Sequence, residues 1–456
     1  MSEEDYLRFD ILRNPAARRL IKSRIPQVSL QILILAAYLF LVYAGLYGTQ
    51  IPRLNIATVG VWTIWWTGII FLILFLGKTW CYLCPWNATV TWIKKMGLPE
   101  SSLRWPRKLK NLYPAAVFLA VITWLELGVT ITYSPRYTAY LMIAIFIIAL
   151  AVGIAYRKRA FCQYLCFIGA IQGIYSSVSP VELRSRDRDT CRKCRTKDCI
   201  RGNEKGEGCP VVLYPGGMDR SVTCITCMEC LRTCPYDNMS VFVRPFAEEL
   251  RRIRKPKTDE AVFIAVLLGL TLLHGGTMLS SWTGFAASLE KPTYYLVFTA
   301  FLLVSAALSI ASLYMVSSLI SRAIGQIGTL SAFKTLAYAL IPAALFYHMA
   351  HNSMHLLMEG PAIIPLLSDP LGLGWDLFGT RGMEMKPLLA MDSVRTLQFG
   401  ILIIGFLMAL SIAQEASRSL GKEGWMRACL AVSALILSIA LLSFWLINQP
   451  MVMRVT

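Results

Sequence analysis

Twelve of the thirteen cysteines in this 456-residue chain lie in close groups whose spacing is typical of metal ligands. The most regular group is the stretch CITCMECLRTCP, in which the fourth cysteine is followed directly by Pro235. This is the C-x2-C-x2-C-x3-C-P spacing of bacterial ferredoxins, in which three thiolates hold one cubane and the fourth ligates the other cluster. An upstream group, CRKCRTKDCIRGNEKGEGCP, is less regular but also ends in a cysteine and a proline.

Together the two groups predict two 4Fe–4S clusters with crossed ligation. The first cluster is predicted to be held by Cys191, Cys194, Cys199 and Cys234. The second cluster is predicted to be held by Cys224, Cys227, Cys230 and Cys209. Two structural zinc sites are the alternative, since C-x2-C pairs also bind zinc. Zinc has no need for a third cysteine two residues on or for a Cys-Pro ending, so we favour iron–sulfur clusters.

Four further cysteines form two pairs at equivalent places in a weak internal repeat. Cys81 and Cys84 lie in KTWCYLCPWNATVTW, and Cys162 and Cys166 lie in KRAFCQYLCFIGAIQG. Each pair follows two apolar segments and therefore falls where a predicted helix leaves the membrane. Three interpretations are open: the four bind a further metal centre jointly, they are a redox dithiol, or they pack at helix ends.

The four histidines of the chain all lie in or beside two apolar segments, as His274, His348, His351 and His355. Ionisable side chains inside membrane spans are costly and indicate function. One hypothesis is a b-type haem with two axial imidazoles, His274 paired with His348 or His351. Another is a quinone site, because quinol oxidation needs a proton acceptor. The alternative is histidines hydrogen-bonded to neighbours near the membrane surface. For the set of four we favour a redox or quinone role.

The composition predicts a mainly α polytopic membrane helix bundle, because 56% of the residues are hydrophobic and only 16% are charged. About nine spans of roughly 20 residues are expected. They fall near residues 29–47, 58–76, 113–133, 137–156, 261–283, 295–320, 334–357, 395–414 and 427–448. The basic, Pro- and Gly-containing insert after the fourth span is predicted to be a cytoplasmic ferredoxin-like domain holding the two clusters.

The predicted domains are a cytoplasmic N-terminal segment and three larger parts. These are residues 1–28, a four-span domain at 29–179 with the two juxtamembrane cysteine pairs, the ferredoxin-like domain at 180–258, and a five-span domain at 259–456 with the histidines. Placing the N-terminus inside leaves only seven of the 45 Lys and Arg residues on the outer face. We therefore predict a prokaryotic cytoplasmic membrane protein with its ferredoxin domain in the cytoplasm and its C-terminus outside.

Residues 30 to 245 resemble the membrane-bound polyferredoxins of the NapH, NosR and CcoG kind. The resemblance rests on helix pairs ending in WCYLCP and FCQYLCFIGA, followed by the two-cluster cysteine domain. The family motif is typically C-x3-C-P, from which this chain departs twice: the spacing from Cys81 to Cys84 is one residue shorter, and Phe167 stands where the proline would follow Cys166. The resemblance implies electron transfer between the quinone pool and periplasmic reductases, or support of their maturation.

The leading functional hypothesis is an electron-transfer subunit that couples the quinone pool to partner oxidoreductase subunits in a complex. The alternative is a maturation factor that supplies electrons for metal-centre assembly in a partner enzyme. A transporter with a ferredoxin-like sensor domain is a third hypothesis, disfavoured because the spans show few acidic residues for an ion path. The basic excess is explained by contact with membrane lipid, so no nucleic-acid partner is expected.

Overall fold

A computed structural model describes residues 7–97, 101–253, 255–325, 327–421 and 423–451. These residues form two compact units, each composed of three stretches of the chain. The first unit comprises Met1–Tyr38, Leu72–Ala115 and Phe146–Lys255. The second unit comprises Leu39–Phe71, Ala116–Ile145 and Pro256–Thr456. All the grouped cysteines lie in the first unit and all four histidines lie in the second.

The chain is mainly α-helical, as predicted, and within its described parts eight helices are long and apolar enough to cross a membrane. The apolar helices, with the one shorter member included as α3, are α1 Ile25–Tyr47, α2 Ile56–Leu76, α3 Tyr113–Gly128, α4 Pro135–Ala155, α5 Thr258–Thr277, α6 Lys291–Ile324, α7 Thr329–Ser368, α8 Met391–Leu420 and α9 Trp425–Asn448. The third predicted span is thus shorter than expected. Its helix ends at Gly128 because Thr130 adopts a left-handed backbone conformation with φ 57°.

Four segments of the described chain have π-helical hydrogen bonding. They are Val59–Trp65 in α2, Trp124–Gly128 in α3, Phe161–Leu165 after α4 and His355–Glu359 in α7. Single π turns are rare and occur frequently at functional sites. Three of these four contain a residue of chemical interest: Glu126, Cys162 and His355 respectively.

A small antiparallel sheet in the first unit supports the cysteine loops. It consists of β1 Phe9–Asp10, β2 Val181–Ser185 and β5 Met239–Val243 in the order β1-β5-β2. The central strand β5 follows directly after the last cysteine of the regular group, and β2 precedes the first cysteine of the irregular group. A two-stranded hairpin, β3 Gly202–Asn203 and β4 Gly206–Glu207, projects from the loops between them.

The N-terminal segment is part of this sheet, which the sequence does not predict. Phe9 pairs with Val243, and Asp10 pairs with Phe242. The buried carboxylate of Asp10 accepts a hydrogen bond from Arg186 Nε at 2.8 Å and another from the Ser240 hydroxyl. A strand that ends in a buried acid thereby closes one edge of the sheet.

Short helices complete the two units. The α-helices are Pro15–Lys22, Thr79–Leu83, Pro85–Lys95, Phe167–Tyr175, Arg188–Lys193, Asp198–Arg201, Glu229–Thr233, Glu248–Arg251 and Ser280–Ala287. The 3-10 turns are Ile11–Arg13, Pro52–Leu54, Arg107–Leu109, Ile131–Tyr133, Pro215–Gly217 and Gly360–Ala362.

In the second unit the helical stretch Leu340–Met354 of α7 is buried along its whole length. A helix that is apolar on every side is expected at the centre of a bundle.

Candidate functional site: cysteine sets and a histidine row

The two cysteine groups fold as two versions of one structural motif. Lys197 and Met228 both have left-handed backbones, with φ 52° and 62°, and each begins a short helix. The second residue of each helix is a cysteine, Cys199 or Cys230. The irregular group is therefore the structural equivalent of the regular one.

The two Cys-Pro endings also match each other. The backbone amide four residues after each cysteine donates to its sulfur: Leu213 N to Cys209 Sγ and Asn238 N to Cys234 Sγ, both at 3.3 Å. The residue three positions after each cysteine has a positive φ, 55° at Val212 and 49° at Asp237. Amide donors aimed at ligand sulfurs are among the features that set the reduction potential of iron–sulfur centres.

The irregular spacing of the first group has a simple structural cause. Cys199 and Cys209 are ten positions apart, whereas their equivalents Cys230 and Cys234 are four apart. The difference of six residues is the hairpin at 202–207, which begins one residue after the helix Asp198–Arg201 ends. The first group is thus the ferredoxin motif with a hairpin inserted before its last cysteine.

The electrostatic neighbours of the eight thiols include cysteines from both groups. Burial, together with Cys191, Cys234, Cys194 and Cys209, raises the pKa of Cys199 to about 11. Burial, together with Cys227, Cys224, Cys209 and Cys199, raises the pKa of the Cys230 thiol well above its usual range. The last cysteine of each group is thus a neighbour of thiols from the other group, and the crossed assignment stays a prediction.

The donor chemistry of both sets fits iron–sulfur clusters. Buried thiols that raise each other's pKa are unfavourable as free thiolates, and coordination to a metal relieves this cost. Within the described chain, no three Cys, His, Asp or Glu side chains are placed to hold a single metal ion. In a cubane each cysteine binds a different iron, so its thiols are farther apart than those around one ion.

A buried ion network holds the loop that carries Cys224, the first of the residues predicted to ligate the second cluster. Glu249 accepts hydrogen bonds from Arg184 Nη2 at 2.8 Å, Arg244 Nη2 at 3.0 Å and the Ser221 amide at 2.9 Å. Burial alone raises the pKa of Glu249, but the two guanidinium groups and Ser221 offset it and leave the pKa below its usual value. The backbone carbonyl of Ser221 in turn accepts a hydrogen bond from the Cys224 amide at 3.0 Å. The network therefore fixes where the second cluster's loop begins.

The four juxtamembrane cysteines, which are Cys81, Cys84, Cys162 and Cys166, line one cavity in the first unit. Burial is the first cause that raises the pKa of Cys81 to about 12, and Cys162 and Cys224 add to it against the opposing charge of Lys78. The two pairs of the repeat therefore face the same space. The short helix Phe167–Tyr175 is capped there, because the Gly169 amide donates to Cys166 Sγ at 3.2 Å.

Two polar side chains near these cysteines are suited to an anionic metal–sulfur centre. Lys78 is only 4% exposed and its ammonium donates to the Val222 carbonyl at 2.7 Å. Gln172, 1% exposed, lines the cavity, and within the described residues its Nε2 atom has no hydrogen-bond partner. A buried ammonium favours nearby negative charge, and an amide donor suits a sulfur acceptor.

In the second unit, three of the four histidines form a row that ends at a carboxylate. The ring centroids of His274 and His351 are 4.9 Å apart, and those of His351 and His355 are 5.3 Å apart. His355 Nδ1 lies 3.1 Å from Glu359 Oε2. The side chains of this histidine row, which are the three histidines and Glu359, are all at least nine-tenths buried. The fourth histidine, His348, packs instead against Trp66, with ring centroids 5.8 Å apart.

A haem between His274 and His351 does not fit this arrangement. The two rings meet edge to face with an interplanar angle of 63°. Axial imidazoles lie on opposite sides of the macrocycle and point a nitrogen at the iron between them. Rings already in edge contact leave no room between them for a flat macrocycle, whereas the pairing of His274 with His348 stays a prediction.

His274 also lines a cavity of about 580 Å³ in the second unit. The cavity is bordered by the π-helical end of α3, which contributes Glu126, and by the helix Ser280–Ala287. Glu126 is 6% exposed and His274 is 7% exposed. Aromatic side chains, among them Trp282, Tyr294 and Tyr295, form much of the remaining wall.

Several residues of these sites were not predicted from the sequence. Glu126 and Glu359 are buried acids in apolar helices, and Glu260 on α5 is a third. They weaken the expectation that the spans hold few buried acidic residues. Glu126 could have been identified from the sequence, because it is an acidic residue within an apolar run. For Lys78 and Gln172 no local signal exists, since their role depends on residues distant in the sequence.

Known proteins match part of the chain. The family description "4Fe-4S binding domain" matches residues 58–112 and 138–187, the two repeats that contain the juxtamembrane cysteine pairs. Escherichia coli YccM, named for a role in electron transport, is 28% identical over 26% of this chain and 29% of its own length. An uncharacterised protein of Methanocaldococcus jannaschii is 28% identical over 36% of this chain and 64% of its own. MauN of Paracoccus denitrificans, a ferredoxin-type protein named for methylamine utilization, is 27% identical over 32% of this chain and 57% of its own length.

The matches thus cover less than two thirds of each of these relatives, and no solved structure matches the chain. The apolar helices and the cysteine sets define a multi-pass membrane protein of the iron–sulfur class. These matches support a polyferredoxin-like family, as the sequence resemblance indicated.

Proposed function

We propose that this protein is a membrane-integral electron-transfer subunit that couples the quinone pool to a partner oxidoreductase. The observation that carries the proposal is the pair of matching cysteine motifs, each with a left-handed residue before its short helix and an amide that donates to its last cysteine. Bound 4Fe–4S clusters supply one-electron transfer. Cys191, Cys194, Cys199 and Cys234 would hold one cluster, and Cys224, Cys227, Cys230 and Cys209 the other.

The four juxtamembrane thiols are proposed to hold a further metal centre rather than to act as a dithiol or as packing residues. Support comes from their common cavity, the buried ammonium of Lys78 and the Nε2 donor of Gln172. Lys78 also accepts a hydrogen bond from the Thr226 hydroxyl at 2.9 Å through its carbonyl. Thr226 lies between two ligands of the second cluster, so the juxtamembrane thiols and that cluster are close neighbours.

The proposed location is a prokaryotic cytoplasmic membrane with the ferredoxin domain on the cytoplasmic side. The distribution of Lys and Arg along the chain supports this orientation. A groove beside the β3–β4 hairpin is lined by basic residues, among them Lys94, Lys95 and Lys158, as expected of a surface that faces anionic lipid headgroups.

The proposal is tested by metal analysis of the purified full-length protein. We expect about eight irons and as many acid-labile sulfides per chain from the two cubanes, with cubane-type paramagnetic signals on reduction. Cys227→Ser should remove about four irons. Stoichiometric zinc without iron would contradict the proposal.

The juxtamembrane centre has its own test. The double variant Cys81→Ser/Cys166→Ser should lose metal in excess of the two cubanes while the signals of the reduced cubanes persist. Cys429→Ser is the matched control, because Cys429 lies on α9, apart from the cysteine groups, and contacts Ser433. Equal metal content in the double variant and the wild type would show that these thiols bind none.

A further inference from the structure

We propose that the cavity lined by Glu126 and His274 binds the ring of an isoprenoid quinone, and that the histidine row carries protons of its quinol. This inference rests on the proposed function and deepens it, because it names the residues of the second unit that a quinone would meet. Neither the family match nor the resemblance covers α5 or α7. The argument depends on the shape of the cavity, on its titratable groups and on the row that begins at its wall.

The cavity suits a flat ring. Its volume of about 580 Å³ is within the usual range of small-molecule sites. Its aromatic wall is held in place: Trp282 stacks on Phe301 with centroids 4.9 Å apart, and the Tyr294 hydroxyl donates to the Leu127 carbonyl at 3.2 Å. Fixed aromatic faces stack favourably against other flat π systems.

The backbone beside the cavity has features that are typical of binding sites. Glu126 lies on the π turn Trp124–Gly128. Thr130, a cavity residue two positions after that turn, is β-branched and has φ 57°. Such a conformation is strained for a β-branched side chain and is found mainly where function requires it. An acid buried in an apolar helix likewise indicates a functional site.

Two titratable groups match the chemistry of a quinol. Oxidation of a quinol to a quinone breaks two O–H bonds and releases two electrons and two protons. The electrons leave one at a time to one-electron acceptors of the 4Fe–4S class, and the protons pass to the Glu126 carboxylate and the His274 imidazole. Quinone reduction is the reverse of this process, and the same two groups then donate the protons.

The histidine row removes a proton from the cavity. A neutral imidazole accepts a proton at one nitrogen and releases one from the other. The rings of His274, His351 and His355 are in contact one after another, and His355 is hydrogen-bonded to Glu359 at 3.1 Å. Transfer between neighbouring rings occurs directly or through one water molecule.

Binding is tested with menadione, a naphthoquinone without the isoprenoid tail, by equilibrium dialysis against the purified full-length protein. Ala286 lines the cavity and is partly exposed, so Ala286→Trp fills the cavity without altering the buried core. We expect this variant to lose menadione binding at least tenfold. Glu260→Gln is the matched control, since Glu260 is a buried acid on α5 that bonds to Tyr338 outside the cavity. Equal binding by Ala286→Trp and wild type would overturn the inference and would indicate partitioning into detergent only.

Proton transfer is tested by mixing dithionite-reduced protein with menadione and following reoxidation by visible absorption. Glu126→Gln and His274→Gln should slow reoxidation by roughly 10²-fold, the usual contribution of a positioned acid or base. His351→Gln should also slow it, whereas His348→Gln, which alters an equally buried ring on the same helix outside the row, should not. Equal rates in wild type, Glu126→Gln, His274→Gln and His351→Gln would overturn the proton part of the inference.

The two proposals fail in distinguishable ways. Iron content and the signals of the reduced clusters report on the proposed function without any quinone present. Protein that contains the clusters but does not bind menadione in this cavity would refute the quinone site and leave electron transfer intact. If Glu126→Gln does not fold, as judged by size exclusion and iron content, His274→Gln tests the same step.

Discussion

At the scale of single residues, the exchange of the last cysteine between the two groups determines which thiols belong together. Cys234 is a neighbour of Cys191 and Cys199, although it closes the group that begins at Cys224. The spacing of the cysteines predicts this exchange, because in two-cluster ferredoxins the fourth cysteine of the motif ligates the other cluster.

Paired substitutions test the exchange. Cys194→Ser with Cys234→Ser should remove about four irons, because both residues serve the same cluster. Cys194→Ser with Cys227→Ser should remove about eight, because the two residues serve different clusters. Iron analysis relative to wild type checks both values. Equal losses of about eight irons from both double variants would mean that each group closes its own cluster.

Other residues of the sites could not be predicted, because their partners are remote in the sequence. Lys78 is 144 positions from the Val222 carbonyl to which it donates. Gln172 is an ordinary polar residue in an apolar stretch until the fold brings two cysteine pairs around it. Hydrogen bonds of this kind depend on tertiary structure, which neither spacing nor composition determines.

At the scale of elements, the short helix Phe167–Tyr175 and the cysteine loop 222–227 fit together only because a glycine lies at the point of contact. A Cβ atom on Gly173 would lie 2.4 Å from the Val222 carbonyl oxygen. That oxygen also accepts the Lys78 hydrogen bond. The close approach brings the loop of the second cluster against the helix that follows Cys166.

Gly173→Ala should therefore push the loop away from the helix. We expect a loss of about 1 to 3 kcal/mol in stability, the usual cost of overpacking a core, and weaker retention of the second cluster. Thermal unfolding and iron release to a chelator measure the two effects. Gly284→Ala is the matched control, since no atom lies within 4 Å of a Cβ placed there. Identical behaviour of the two variants would contradict the role of this contact.

Sequence patterns predicted the apolar helices well and their ends less well. The third span ends early because Glu126 lies on a π turn and Thr130 terminates the helix. The apolar run itself continues past both residues, so hydropathy alone extended the prediction to residue 133. The hairpin at 202–207 is likewise absent from the prediction, where its six residues appeared only as an irregular spacing between cysteines.

At the scale of the whole molecule, the proposed orientation is the feature that assigns every site to a side of the membrane. It depends on the distribution of basic residues and on counting the short helix α3 as a crossing segment. The 16 residues of α3 extend for about 24 Å, somewhat less than the roughly 30 Å of a hydrocarbon core. An experiment on sidedness therefore tests both the charge distribution and the crossing by α3.

Protease sites inserted at two exposed turns report the orientation. A site after Lys205, in the hairpin turn, should be cut in inverted membrane vesicles and protected in intact spheroplasts. A site after Gly382, an exposed residue at which an added Cβ would meet no atom within 4 Å, should show the reverse. Cleavage of both sites from the same side would mean that one of the intervening helices does not cross.

The strand β1 has a consequence for the order in which the protein is made. Phe9 and Asp10 leave the ribosome well before their partners Val243 and Phe242, which are translated more than 200 residues later. Pairing over such a separation is slow, because the long loop must be closed first. The cysteine domain therefore cannot close its sheet until four apolar helices have been synthesised. Clusters inserted while the chain is still being made would therefore enter a domain whose sheet is not yet closed.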